Sequence, residues 1–181
     1  MITLLIALIL LYAFYIGVTR GIALQSIHTI GALLSFVFAN YFYEALAKKI
    51  ELLVPYLSVT PDTKMAFYNL EEAFDLDQVY YAGVAFILLF AIGWLLTKFV
   101  AIFFHEWRYK QPFAYQRIIA GIINLGLVYS MLLMGLFVLS TIPMDMIQRV
   151  FKPHQLATFM VEKTPILSNL FHELWSVGLT H

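Results

Sequence analysis

Four long stretches of apolar side chains constrain this chain more than anything else in it. They lie at residues 2–18, 21–43, 79–104 and 118–142. A helix rises about 1.5 Å per residue and needs about 20 apolar residues to cross ~30 Å of hydrocarbon. Backbone that faces lipid must satisfy its own hydrogen bonds, which leaves helices or closed barrels. Barrel strands would be about 10 residues long and would alternate in polarity; these runs do neither. The expectation is an all-α polytopic membrane protein with about four transmembrane helices. The low charged fraction agrees: 12% here, against about 25% in soluble domains.

Residues 1–19 carry no charge, and the first basic residue, Arg20, follows the apolar run. A secretory signal begins instead with a basic segment, so the run is read as a retained helix with its N-terminus outside. The first two runs are joined by little more than Thr19, Arg20 and Gly21. Such a link forces a tight antiparallel hairpin, with Gly17 and Gly21 relaxing the backbone at the turn.

Orientation follows from lysine and arginine in the short loops. The hairpin turn has Arg20. The loop at 44–78 sets Lys48, Lys49 and Lys64 against seven acids. The loop after the third run has Lys98, Arg108, Lys110 and Arg117 against Glu106 alone. The first and third loops are therefore expected in the cytoplasm, with loop 44–78 and both termini outside. Tyr41, Tyr43, Tyr80 and Tyr81 would mark the outer interface, and Trp107, Tyr109 and Tyr115 the inner one.

A transmembrane domain thus occupies 1–143 and an extracytoplasmic tail 144–181. In the tail, Thr164 and Pro165 look like a helix start. Leu167, Leu170, Phe171, Leu174 and Trp175 then recur on one face, so the tail is expected to be an amphipathic helix buried against membrane or bundle. Ile147, Val150, Phe151, Leu156, Phe159 and Met160 suggest one or two shorter helices before it. Between the second and third runs, residues 48–57 set Ile50, Leu53, Val54 and Leu57 on one side, up to a break at Pro55.

In lipid, helices associate through close packing at small residues. Ala13, Gly17 and Gly21 provide such a face on the first run; Gly93, Thr97 and Ala101 on the third; Gly121, Gly126 and Ser130 on the fourth. The second run is the most informative. Gly21, Gln25, His28, Ala32, Ser35 and Ala39 fall at alternating steps of four and three, forming one small or polar stripe. A stripe of that kind faces another helix or a water-filled path. His28 is the residue inside a span that titrates nearest neutral pH when unperturbed. It is either a neutral histidine bonded across helices to Asn124 or Ser130, or a proton-linked group in a pore. Arg20 is an anchor or pins the hairpin by bonding helix-end carbonyls, and Arg117 is placed to reach the same carbonyls.

Other chemistry finds little support. His105-Glu106 and His172-Glu173 begin like a zinc-protease motif, but Tyr109 and Ser176 stand where the second histidine belongs. The acidic group Glu71, Glu72, Asp75 and Asp77 lacks a calcium-loop spacing. No phosphate-binding loop or nucleophile elbow is present, so no catalytic residue, metal or cofactor is expected. Zero net charge and pI near 7.0 give no reason to expect a nucleic-acid partner. There are no cysteines.

With these residues in view, the chain resembles the colicin V production protein (CvpA) family of bacterial membrane proteins. The resemblance rests on the hairpin Tyr15-Ile16-Gly17-Val18-Thr19-Arg20-Gly21-Ile22, on Gln25, Gly31 and Ala39, on the segment from Arg117 through Gly121 to Asn124, and on the tail from Thr164 to Leu170. Two acids frequent in that family are missing, with Thr3 and Gln25 or Ser26 in their places. The resemblance implies a multi-pass protein of the bacterial cytoplasmic membrane linked to toxin production, secretion, biofilm and cell-envelope phenotypes. The function expected is non-enzymatic: a protein that assembles with itself or with other membrane proteins in the bilayer. The rival is a small oligomeric channel or transporter whose path is lined by the stripe of the second run.

Overall fold

The computed structural model describes residues 2–56, 65–68, 76–109, 113–151, 155–164, 170–171 and 173–175. Among them the regular elements are all helical: α1 (Ile2–Glu51), α2 (Leu76–Phe103), α3 (Ala114–Ser140), α4 (Asp145–Gln148) and α5 (Leu156–Lys163), with 3-10 turns at His105–Tyr109 and Arg149–Phe151. α1, α2 and α3 are long and apolar enough to cross a membrane. The protein is an all-α polytopic membrane protein.

α1 has 50 residues, and a straight helix of that length would run ~75 Å, far beyond the ~30 Å of hydrocarbon. It breaks at Gly21, where φ is 74° and ψ is 170°. Side chains other than hydrogen do not tolerate that conformation. Two arms result, residues 2–20 and 22–51, and the chain reverses between them. The reversal is visible at Asn124, whose one side chain bonds Ala13 of the first arm and Gln25 of the second. Ala13 and Gln25 would stand ~18 Å apart on a straight helix. With the two arms counted as separate spans, the described residues hold four membrane-crossing segments.

The chain forms two compact units. One comprises Leu4–Tyr41 with Leu88–Met131. Here the first arm lies antiparallel to α3. A β-carbon at Gly17 would stand 2.8 Å from the Gly121 α-carbon, and one at Gly121 would stand 2.7 Å from Phe14 and Val18 side chains. The second arm lies antiparallel to α2 in the same manner: Gly31 abuts the Thr97 side chain, and a β-carbon at Gly93 would meet Ser35 Oγ at 2.6 Å. Backbones come this close only where glycine stands opposite a small residue. The opposite faces carry Leu33, Leu34, Val37, Leu95, Leu96 and Phe99, all exposed, as a lipid-facing surface requires.

The other unit contains the described parts of Met1–Thr3, Phe42–Ile87 and Leu132–His181. Ile50, Tyr81 and Ala85 form a small core with Tyr43, Leu46 and Tyr56 against it. The Tyr56 hydroxyl donates to the Thr141 carbonyl, and Tyr81 donates to the Val54 carbonyl at 2.7 Å. Burial, with Asp77 adding to it, pushes the Tyr56 hydroxyl far above its ordinary range.

Several boundaries differ from the sequence expectation. The second arm continues past residue 43 to Glu51, because Glu44, Lys48 and Lys49 end the apolar run without breaking the helix. It stops a few residues before Pro55, which excludes helical geometry at the residue ahead of it. Ile50 is buried, but Leu53 and Val54 lie beyond the helix and are exposed, so of the described residues of the apolar face read over 48–57 only Ile50 is buried. α2 starts at Leu76 and α3 spans Ala114–Ser140, which shortens the loop read as 44–78. Leu57, Leu167, Pro165, His172, Glu71, Glu72 and Asp75 lie outside the described residues.

Candidate functional site

The polar residues of the hairpin unit converge on Asn124. Its Nδ2 donates to the Ala13 carbonyl at 2.6 Å. Its Oδ1 accepts from Gln25 Nε2 at 3.2 Å and from Arg20 Nη1 at 3.4 Å. The orientation of the amide follows from its partners, since a carbonyl can only accept and a guanidinium can only donate. One side chain on α3 therefore clips both arms of α1 and the arginine at their turn. Arg117 adds a second link, with Nε donating to the Val18 carbonyl at 3.4 Å, just before the turn. Carbonyls at a helix end attract cations in this way.

All six positions of the stripe are buried: Gly21, Gln25, His28, Ala32, Ser35 and Ala39. Gln25 is fully enclosed, and its Oε1 has no hydrogen-bond partner among the described residues. Ser35 turns its hydroxyl back to the Gly31 carbonyl at 2.7 Å, and Thr97 does the same to Gly93 at 3.0 Å. Both hydroxyls satisfy themselves on their own helix and leave the interface to methyl and backbone packing.

His28 departs from the sequence expectation. It bonds neither Asn124 nor Ser130. Its Nδ1 donates to the Leu24 carbonyl, one turn back on its own helix, at 2.9 Å. Its ring meets Trp94 edge to face, with centroids 5.8 Å apart. The reason is geometric: Asn124 is already committed to Ala13, Gln25 and Arg20, and Ser130 bonds the Gly126 carbonyl of its own helix. Gly126 also differs from its expected packing role, because a β-carbon there would meet nothing within 4 Å.

A cavity of about 480 Å³ opens beside this network. Arg20, His28, Lys98 and His105 line it, with Tyr12 and Tyr15 at its side. Lys98 also sits over the Trp94 ring, its Nζ 5.7 Å from the centroid. Arg20 and His28 are distant in sequence from Lys98 and His105; they share one space because the second arm and α2 run antiparallel.

In the other unit, the tail residues Phe171 and Trp175 are buried. The Trp175 ring lies 5.8 Å from Phe86 of α2 and 5.3 Å from Phe137 of α3, and stacks on Phe171 at 5.3 Å. Leu170 and Leu174 are half-buried, and the Leu174 carbonyl accepts from the Tyr43 hydroxyl at 2.9 Å. Among the described residues no group of three metal-ligating side chains comes together.

Comparison with known proteins places this arrangement. The chain is 29% identical over 180 residues to the uncharacterized transmembrane protein YshB of Bacillus subtilis (strain 168), covering 97% of this chain and 98% of that protein. No solved structure matches it significantly. The family model described as colicin V production protein matches residues 2–165, a stretch holding both the hairpin and the Arg117-to-Asn124 segment that locks it, and the chain belongs to that family.

Proposed function

We propose that this chain is a non-enzymatic protein of the bacterial cytoplasmic membrane that supports toxin production, secretion and envelope upkeep by assembling with itself or with other membrane proteins. The observation that carries this reading is the fate of the stripe on the second arm. Gln25, Ser35 and their neighbours are buried inside one chain against α2 and α3. Gln25 bonds across to Asn124, while His28 and Ser35 bond carbonyls of their own helix, so the polar groups that a transport path would need are engaged within the chain. That favours assembly over the channel alternative, in which copies of this stripe would face water. The small residues Gly126 and Ser130 of α3 remain open, and small residues are what membrane helices use to meet. Charge bias in the loops supports cytoplasmic placement of the α1 turn and extracytoplasmic termini.

The chain has no cysteine, so a single Gly126→Cys substitution gives a clean crosslinking probe. Oxidation in native membranes is expected to yield a disulfide-linked dimer, with Leu33→Cys on the lipid face giving none. Light scattering in mild detergent should report more than one copy. The channel reading replaces this one if the reconstituted parent conducts ions or protons into liposomes and His28→Gln abolishes the current. Reporter fusions at His181 and Lys110 should fall on opposite sides of the membrane; a cytoplasmic C-terminus would contradict the orientation.

A further inference from the structure

We infer that the basic cavity of the hairpin unit is a binding site for the phosphate of an anionic phospholipid headgroup. Charge, opening direction and depth of the cavity lead there, and none of them is needed for the assembly role proposed above.

The first is charge. Arg20 and Lys98 bring basic side chains, His28 and His105 add ring nitrogens, and among the described residues no carboxylate lines the cavity. Cations on a membrane-spanning surface are costly and are met by an anion or by the interface. The second is the direction in which the cavity opens. Tyr12, Tyr15 and Ile102 border it and are each more than half exposed. These are side chains of the lipid-facing surface, so a ligand enters from the bilayer. The third is depth. Arg20 stands at the α1 turn and His105 just past the end of α2. Lys98 lies five residues before that end at Phe103, which is ~7.5 Å along the axis. A phosphate group at the membrane interface falls within reach of all three. Basic pockets between transmembrane helices on the cytoplasmic side recognise anionic headgroups by this chemistry, and 480 Å³ is an ordinary size for a ligand pocket.

Arg20 couples the site to the fold, because the same guanidinium donates to Asn124 Oδ1. A phosphate drawn to Arg20 would sit against the network that closes the hairpin. Lys98 and His105 are outside that network, which makes them the residues to vary.

The test uses the full chain purified in mild detergent, with dioleoylphosphatidylglycerol and dioleoylphosphatidylcholine added in equal amounts and native mass spectrometry counting lipid retained per chain. One phosphatidylglycerol per chain is expected, in preference to phosphatidylcholine. Lys98→Gln should weaken that retention about fivefold, the share of one basic side chain near a membrane surface. Lys98→Arg should preserve it, and so should Lys48→Gln, an exposed lysine in the other unit. If Lys98→Gln does not fold, His105→Glu at the exposed rim carries the test and should reduce retention at least as much. Equal retention of the two lipids, or unchanged retention in Lys98→Gln or His105→Glu, overturns the site. Displacement of the lipid by millimolar inorganic phosphate also overturns it, by identifying a soluble anion as the occupant.

Discussion

Gly21→Ala tests the hinge on which the hairpin depends. At φ 74° and ψ 170° the residue occupies a region that is essentially restricted to glycine, and a β-carbon forced there costs about 1–3 kcal/mol. Alanine also removes about 0.4–1 kcal/mol of conformational freedom from the unfolded chain, which works the other way. The net expected loss is about 1–2 kcal/mol. The arm cannot relieve the strain by straightening, because a helix from residue 2 to 51 does not fit the bilayer, and because Asn124 would lose either Ala13 or Gln25. At about 2–4 °C per kcal/mol for a chain of this size, the melting midpoint should fall by about 2–8 °C. Near-ultraviolet circular dichroism in mild detergent follows it, since Trp94, Trp107 and Trp175 report packing in both units. Gly135→Ala is the matched control: it sits within α3, and a β-carbon there meets nothing within 4 Å. It should hold or gain up to about 1 kcal/mol from helix propensity. A Gly21→Ala protein that melts with the parent or above it would refute the argument from backbone geometry.

Asn124→Leu removes three hydrogen bonds to α1, and at about 0.6 kcal/mol for each interhelical bond in a membrane the same melt should show a loss near 2 kcal/mol; Ser130→Ala, whose partner is on its own helix, should be nearly silent. Ala32→Leu places bulk at a position 3% exposed and should cost about 1–3 kcal/mol by overpacking, whereas Leu33→Phe on the lipid face should change little. Replacing Phe171 and Trp175 together by Asp should expose the tail, read as faster proteolytic cleavage after Pro143; unchanged cleavage would mean that their burial contributes nothing to holding the tail. The Tyr56 hydroxyl, raised from its ordinary value of 10.0 by burial, contributes stability that is present below pH ~10 and lost as pH rises beyond it. Tyr56→Phe should therefore flatten the alkaline side of the stability profile, measured by melts at increasing pH.

Sequence by itself determined which segments enter the membrane, because hydrocarbon thickness and the demand for internal backbone bonding act on local runs of residues. It placed the hinge at the short link with Gly17 and Gly21; Gly21 carries the reversal, whereas Gly17 stays helical and packs against Gly121 instead of relaxing the turn. It also singled out the face of the second arm that is buried, from Gly21 to Ala39, since helical periodicity is a local property. The tertiary structure decided the partners. Asn124 is drawn to Ala13, Gln25 and Arg20 because the hairpin folds three distant segments onto one amide, and that commitment leaves His28 to the Leu24 carbonyl and the edge of Trp94. Gly126 carries the same small-residue signature as Gly17, yet only Gly17 meets a neighbouring backbone; which small faces are used depends on how each helix is rotated, and spacing along one helix does not encode that. The continuity of the second arm through Glu44 to Glu51 was hidden for a different reason: charges there end the apolar run, while the backbone goes on bonding to itself. The basic cavity needs residues 20, 28, 98 and 105 in one place, and only the antiparallel pairing of the second arm with α2 puts them there.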